Sequence, residues 1–157
     1  PFYAYSMLWT LNGVLIIIGQ PLVNKLSPYV RLSTQIIVGI FIFALSFLLL
    51  IFARTLTAFV IDFVILTIGE MTSFAGLPAW IAQLTNVNEA GHYQGLLNIM
   101  MSVGRAIGPL YGGFVIEKGS YQFLFISVFC LMTSTLIIIC LYLWHLHRVQ
   151  RRLNLDK

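Results

Sequence analysis

The sequence predicts an all-α integral membrane protein with five transmembrane helices. Three observations predict this class: 59% of the 157 residues are hydrophobic, only 9% are charged, and the apolar residues fall into five long stretches. A soluble domain carries roughly 25% charged residues, and so few charges could not solvate the surface of a fold of this size. The composition therefore excludes a soluble globular protein, a disordered chain, a nucleic-acid-binding protein and a secreted disulfide scaffold.

Each predicted helix is bounded by a short polar connection. The approximate spans, each long enough to cross a hydrocarbon core of about 30 Å, are 4–22, 33–53, 57–82, 94–116 and 121–144. The first span ends in the polar segment 23–32, the second ends at Arg54, and the third ends in the segment 85–92. The fourth ends at 117–120, and the fifth ends where the basic tail 145–157 begins. Strands are excluded because uninterrupted apolar runs such as 41–52 do not alternate.

The distribution of Lys and Arg predicts a cytoplasmic C-terminus. In that orientation the basic residues on the cytoplasmic side are Lys25, Arg31, Arg148, Arg151, Arg152 and Lys157. The outer side then holds only Arg54 and Lys118, in agreement with the positive-inside rule. We interpret 145–157 as an anchor near anionic headgroups, with a recognition helix as the alternative. Because the chain starts at Pro1 without a recognisable signal peptide, we expect it to be a fragment with further sequence upstream.

Three charged side chains lie inside the predicted spans, and each is a functional candidate because charges are costly to bury in a bilayer. Glu70 and Arg105 lie near the midpoints of consecutive antiparallel helices, so we expect them at the same depth. Asp62 lies about 12 Å nearer the outer face, at about 80° from Glu70 around the helix, where both carboxylates could border one polar passage. We interpret Glu70 and Arg105 as a couple that changes partner or protonation during function. A static clamp between two helices is the alternative.

The fourth predicted helix carries glycines at a fixed spacing, G-x8-G-x3-GP-x2-GG. The residues that form this pattern are Gly95, Gly104, Gly108, Pro109, Gly112 and Gly113. Three of them recur every four residues, at 104, 108 and 112, and predict a smooth stripe against which another helix packs closely. We name these three residues the glycine stripe.

Prolines predict helix breaks and polar spots within the spans. Pro109 has no N–H, so the carbonyl of Arg105 lacks its usual helical donor, and we expect a hydrated region at 105–109. Pro21 and Pro78 predict further interruptions in the first and third spans. Interrupted helices of this kind often line transporter cavities.

These motifs resemble a known family, the major facilitator superfamily. The glycine spacing resembles its antiporter signature, described for the fifth helix of drug:proton exporters, whose symmetric counterpart is the eleventh helix. The run IGEMTSFAGLPAWIAQLTNVNEAGHYQG (68–95) is similar to the tenth helix and following loop of bacterial members. The run LWTLNGVLIIIGQPLVNKLS (8–27) resembles the eighth helix. The resemblance covers nearly all of the chain and implies helices 8–12 of a twelve-helix fold.

The choice between the two halves of such a transporter depends on opposing features. A complete glycine signature favours the N-terminal half. The C-terminal half is favoured because the 23–32 loop lacks the acidic, Arg-rich pattern expected after the second helix. Glu70 also stands where the fourth helix usually offers an Arg, and the chain ends shortly after its last span. We therefore expect a partial C-terminal half whose partner, the N-terminal half, is missing from this chain.

The resemblance implies a secondary transporter of a bacterial cell membrane, with two six-helix halves that alternate access to a midplane site. Glu70 would take up a proton or meet a cationic substrate, Arg105 would tune that carboxylate, and Asp62 is a further coupling or substrate candidate. Polar residues expected to line the cavity are Asn12, Gln20 and Asn98. The expected partners are the lipid bilayer and a small-molecule substrate, with no nucleic acid. No cofactor is expected, and a proton gradient would drive transport.

Several functions remain open at this point. The leading hypothesis is proton-coupled efflux of small amphipathic or cationic compounds, as in multidrug antiporters. The alternatives are a proton-coupled uptake symporter and a truncated or non-transporting membrane subunit. A membrane-embedded enzyme is disfavoured because the sequence has no HExxH motif, no paired metal ligands and no Ser/His/Asp set at membrane depth. The histidines all fall at span boundaries, at positions 92, 145 and 147. We predict no catalytic residues and no metal site.

Overall fold

The computed structural model describes residues 2–155, and it describes side chains for residues 6–146 and for Arg148. Within 2–155 the chain forms six α-helices, α1 (Phe2–Leu26), α2 (Leu32–Leu50), α3 (Leu56–Ser73), α4 (Leu77–Leu84), α5 (Ala90–Lys118) and α6 (Tyr121–Leu155). Short 3₁₀ helices follow α1, at Ser27–Tyr29, and join α3 to α4, at Phe74–Gly76. This part of the chain contains no strand, and the prediction of an all-α fold is confirmed.

Five segments of the described chain are long and apolar enough to cross a membrane. They are Ser6–Tyr29, Leu32–Leu50, Leu56–Leu84, Ala90–Lys118 and Tyr121–Leu146. The third segment contains both α3 and α4. The number and order of the predicted spans are confirmed. We refer to the end of the bundle that holds the turn at Arg54 as the Arg54 side, and to the opposite end as the tail side.

Some predicted helix ends differ from those observed. Pro21 does not interrupt α1, which continues to Leu26; that prediction was wrong, because one proline removes a single backbone bond and the later residues keep theirs. The second helix ends at Leu50, short of the predicted 53. The reason is that the amides of residues 51–53 bond three residues back, to the carbonyls of 48–50. The segment 145–155, predicted as a tail, continues α6 as a helix.

The predicted interruption at Pro78 is confirmed, and its cause is local. Pro78 has no N–H to offer the carbonyl of Phe74 four residues earlier. The amide of Leu77 donates to that carbonyl instead, which makes the bond one residue shorter than in an α-helix. The span that contains Glu70 is therefore divided by the 3₁₀ helix Phe74–Gly76 into α3 and α4.

The helices α2 and α3 make the closest packing in the fold. A Cβ placed on Gly39 of α2 would lie 2.5 Å from the backbone nitrogen of Ser73. One placed on Gly69 of α3 would lie 2.6 Å from the backbone nitrogen of Phe43. The two backbones are therefore in direct contact at these glycines, as in other membrane helix pairs where small residues permit close approach.

The remaining helices are arranged around this pair. The helix α1 packs on α3, and α6 packs on the other side of α2. The helix α5 packs mainly on α4 and α6. Consequently α5 lies away from the α2–α3 contact, which decides where Arg105 is placed.

Candidate functional site

A polar cluster joins α1 to α3 at the middle of the third span. Asn12 Nδ2 donates to Thr67 Oγ1 at 3.0 Å and to Glu70 Oε2 at 3.1 Å. Thr67 is 0% exposed and Asn12 is 7% exposed, whereas Glu70 is half-buried. We name Asn12, Thr67 and Glu70 the Glu70 cluster.

The cluster follows from residue types and helical spacing. Positions 67 and 70 are three residues apart and therefore lie on the same face of α3. An amide group has two N–H donors, so Asn12 can serve both partners at once. Thr67 donates its own hydroxyl proton to the carbonyl of Phe63 at 2.8 Å, which leaves its oxygen free to accept from Asn12. The two hydrogen bonds of Asn12 thus pair the polar groups of the Glu70 cluster, which would be costly to bury unpaired in an apolar bundle.

The carboxyl group of Glu70 is partly hydrogen-bonded and partly accessible. One carboxylate oxygen is fixed by a hydrogen bond from a buried amide, and that bond is strongest when the carboxylate is charged. Because the residue is only half-buried, the rest of the carboxyl group can meet a proton, a water molecule or a solute. Chemically, the cluster is suited to bind and release a cation at mid-membrane depth.

Asp62 lies in a different environment from Glu70. It is 4% exposed, and neither of its carboxyl oxygens has a hydrogen-bond partner among the described residues. It borders a cavity of about 280 Å³ on the Arg54 side, whose other lining residues are Leu49, Phe52, Ala53, Ala58, Ile61 and Ile65. The side chains that line this cavity with Asp62 are apolar, and Glu70 is not among them.

The structure does not bring Arg105 and Glu70 together. Arg105 is exposed on α5, and among the described residues it forms no ion pair or side-chain hydrogen bond. The hydrogen-bond partner of Glu70 is Asn12 of α1. The physical reason is that α5 packs on α4 and α6 instead of alongside α3, so equal depth along two helices does not place the side chains in contact.

The other predicted cavity residues make only local contacts. Gln20 Nε2 donates to Asn24 Oδ1 at 3.1 Å, one turn further along α1. Asn98 is exposed on α5, and its backbone carbonyl accepts from Ser102 Oγ at 2.8 Å. Of the three cavity candidates, Asn12 is the one that joins the Glu70 cluster.

The glycine stripe of α5 is open within the described chain. A Cβ placed on any member of the glycine motif would find no atom within 4 Å outside its own helix; these positions are 95, 104, 108, 112 and 113. Pro109 lies inside α5, which is continuous from Ala90 to Lys118. The close helix contact expected at the stripe is therefore not supplied by residues 2–155.

Several residues of the site were not singled out from the sequence. Thr67 completes the Glu70 cluster, and its spacing of three residues from Glu70 was the available signal. Gln35 is 8% exposed and donates to the carbonyl of Thr72 at 3.2 Å, which is a polar link between α2 and α3. Gly39 and Gly69 were also missed, because single glycines on two helices form no repeating pattern in the sequence.

The described residues contain no group of three or more His, Cys, Asp or Glu side chains that could hold a metal ion. The two cysteines, Cys130 and Cys140, lie on α6 and are both exposed and free.

Five segments that are long and apolar enough to cross a membrane, two of them joined by a polar cluster, define a multi-pass membrane protein. The chain belongs to the Major Facilitator Superfamily, because the model of that family matches residues 2–155. Members of this family are secondary transporters and not enzymes. The predictions of the family and of a non-enzymatic protein are confirmed.

Two curated relatives of this chain are also named as transporters. The chain is 38% identical over 140 residues to the "Uncharacterized MFS-type transporter YttB" of Bacillus subtilis (strain 168), which covers 88% of this chain and 35% of the relative. It is 34% identical over 106 residues to the "Vacuolar basic amino acid transporter 1" of Saccharomyces cerevisiae. The aligned region covers 68% of this chain and 19% of that relative. The chain thus spans about a third or less of the length of these proteins. No solved structure matches the chain.

Proposed function

We propose that this chain is part of a secondary active transporter in which Glu70 couples solute movement to proton flow. The observation that carries the proposal is the Glu70 cluster, which holds a half-buried carboxylate at the midpoint of the span Leu56–Leu84. Alternating access requires a site near the membrane centre that can bind and release its ion. An ionisable side chain at that depth is costly to bury and is usually retained for such a role.

The proposed direction is efflux of small amphipathic or cationic compounds in exchange for protons. The glycine spacing of α5 supports this choice because it resembles the antiporter signature. A carboxylate at the site is suited to a cationic solute, and the name of the yeast relative indicates that basic amino acids are the substrates of that protein. Proton-coupled uptake is the alternative direction for the same site.

We further propose that the chain corresponds to helices 8–12 and that a seventh helix and an N-terminal half complete the transporter. The open glycine stripe supports this placement, because it leaves a smooth helix face available to a helix outside the described chain. Arg105 is exposed on the same helix. In this proposal Arg105 meets a carboxylate in the complete protein or in another conformation of the transport cycle.

A flux assay of the full-length gene product tests the proposed function. Purified protein in vesicles would be given an imposed pH gradient and a panel of amphipathic cations, basic amino acids and neutral sugars. We expect gradient-driven movement of at least one cationic solute against the proton flow, abolished by a protonophore. Movement in the same direction as the protons would favour the symporter instead. No gradient-dependent flux of any solute would favour a non-transporting subunit and contradict the proposal.

The proposed orientation, with the tail side in the cytoplasm of a bacterial cell, predicts a labelling pattern. Single cysteines would replace Arg54 and Asn88, both exposed in connections, in a background with Cys130 and Cys140 changed to Ser. In intact cells an impermeant thiol reagent should label Arg54→Cys and not Asn88→Cys. Both should react after the cells are permeabilised. Labelling of Asn88→Cys alone in intact cells would reverse the orientation.

A further inference from the structure

Asp62 is a buried acid that its surroundings do not neutralise. The residue is only 4% exposed, and within the described part of the chain both carboxyl oxygens lack a hydrogen-bond partner. The nearby cavity is lined otherwise by apolar side chains. An ionised carboxylate in such a place would lose its hydration and gain neither a counter-charge nor a hydrogen bond in return. The packing of this conformation therefore fits the neutral acid.

The burial of the two carboxyl oxygens restricts which cation could neutralise Asp62. The two carboxyl oxygens are buried atoms, so no metal ion or ammonium group can touch them without a movement of the surrounding helices. A metal ion would also need several further oxygen ligands, and the lining of the cavity offers hydrocarbon. A proton is the cation that meets both conditions, because it occupies no volume and needs one oxygen.

Charged groups on the neighbouring elements do not change this conclusion. The helix α2 and the 3₁₀ helix packed on α3 contain no titratable residue. The titratable residues of α1, of the adjacent turn and of α3 itself are Tyr3, Tyr5, Lys25, Arg54 and Glu70, with Asp62. Lys25 is at the tail side, Arg54 is exposed in its turn, and Glu70 is bonded to Asn12. Tyr3 and Tyr5 fall outside the described side chains.

The burial of Asp62 is produced by this chain itself. The exposure of 4% is that of the residue within this chain, so its burial needs no contact from another part of a larger transporter. A partner from another part of the transporter would have to displace the atoms that cover Asp62 before it could reach the carboxyl group. The environment of Asp62 thus differs from that of Glu70, which is half-buried and open to further contacts.

We infer that Asp62 is a second proton-binding site, separate from Glu70, and that it holds its proton in the conformation described here. The surrounding residues also indicate how the proton would leave. The cavity lies where α2 ends and α3 begins, and it is lined on the two sides of the connecting turn by Leu49 of α2 and Ala58 of α3. Separation of these two helix ends on the Arg54 side would admit water, stabilise the ionised form and release the proton. This inference adds a second proton to the proposed function and does not depend on the role of Glu70.

Infrared spectroscopy of the full-length protein in lipid vesicles tests the inference directly. A protonated carboxyl group has its own C=O stretching band, which an ionised carboxylate lacks. At neutral pH we expect this band in the wild type and in Glu70→Gln, and its loss in Asp62→Asn. Glu89→Gln is the matched control, because Glu89 is an exposed acid and its removal should leave the neutral-pH band unchanged.

Each outcome of this experiment decides the question. The absence of any protonated-carboxyl band in the wild type at neutral pH would overturn the inference without reference to a variant. A band that persists in Asp62→Asn would assign the proton to another residue and overturn it as well. Asp62→Leu provides a second neutral variant if the amide of Asn prevents insertion. Because the readout is a proton and not a flux, failure of the coupling role of Glu70 would leave the result intact.

Discussion

Replacement of Glu70 by Gln in the full-length protein is expected to reduce proton-driven transport to the level of protein-free vesicles. The variant keeps the shape of the side chain and a group that can hydrogen-bond to Asn12, but it can no longer titrate. Substrate binding and energy-independent exchange are expected to survive. The measurement compares flux with and without an imposed pH gradient.

The matched control for Glu70 is Glu89→Gln, the same substitution at an exposed site in the connection before α5. We expect the control to transport like the wild type. If Glu70→Gln still moves substrate against its gradient at the wild-type rate, Glu70 is not the coupling carboxylate. Equal losses in both variants would show that the assay reports protein abundance and would be resolved by normalising to the amount of inserted protein.

Replacement of Gly69 by Ala is expected to destabilise the bundle strongly. The added methyl carbon would lie 2.6 Å from the backbone nitrogen and 2.9 Å from the Cα of Phe43. Because these are backbone atoms, no side-chain rotation can relieve the overlap, and α2 and α3 must move apart. Overpacking of this kind costs typically about 1–3 kcal/mol of the free energy of unfolding. Thermal denaturation in detergent and the amount of protein in the membrane measure the effect.

Gly13→Ala is the control for the glycine contact, since a Cβ at that position meets nothing within 4 Å. In the middle of α1 an alanine favours the helical state by up to about 1 kcal/mol relative to glycine, so this variant should be neutral or slightly stabilised. Gly39→Ala should resemble Gly69→Ala, because its Cβ would lie 2.5 Å from a backbone nitrogen of Ser73. Wild-type stability in both Gly39→Ala and Gly69→Ala would contradict the close packing of α2 on α3.

The parts of this fold that could be predicted from the sequence are those that depend on local chemistry. Hydrophobic runs of sufficient length predict the five spans without any knowledge of packing. The break before Pro78 follows from a missing N–H, which is a property of one residue. The depth of Glu70 in the membrane follows from the rise per residue of a helix.

The other features of the fold and the site depend on the rotation of each helix and on the helices that pack against it. Counting residues predicts an equal depth for Glu70 and Arg105, but counting does not give the rotation of a helix or its neighbours. The neighbours of α5 turned out to be α4 and α6, and Asn12 became the partner of Glu70. The same limit explains the glycines. The glycine stripe on α5 is open, whereas the single glycines Gly39 and Gly69 form the close contact between α2 and α3.

The 3₁₀ helix Phe74–Gly76 divides the third span into two arms with different attachments. The arm α3 is tied to α1 through Asn12 and Glu70. The arm α4 is tied to α5, because Gln94 Nε2 donates to the carbonyl of Pro78 at 2.6 Å.

The joint between the arms is itself fixed to α2, where the ring of Phe74 meets that of Phe43 edge to face at 5.8 Å. A change of angle at the 3₁₀ helix Phe74–Gly76 would move α4 and α5 together, while Glu70 would keep its hydrogen bond to Asn12. The two ends of the bundle are therefore held differently: on the tail side α4 is hydrogen-bonded to α5, and on the Arg54 side a short turn connects α2 to α3.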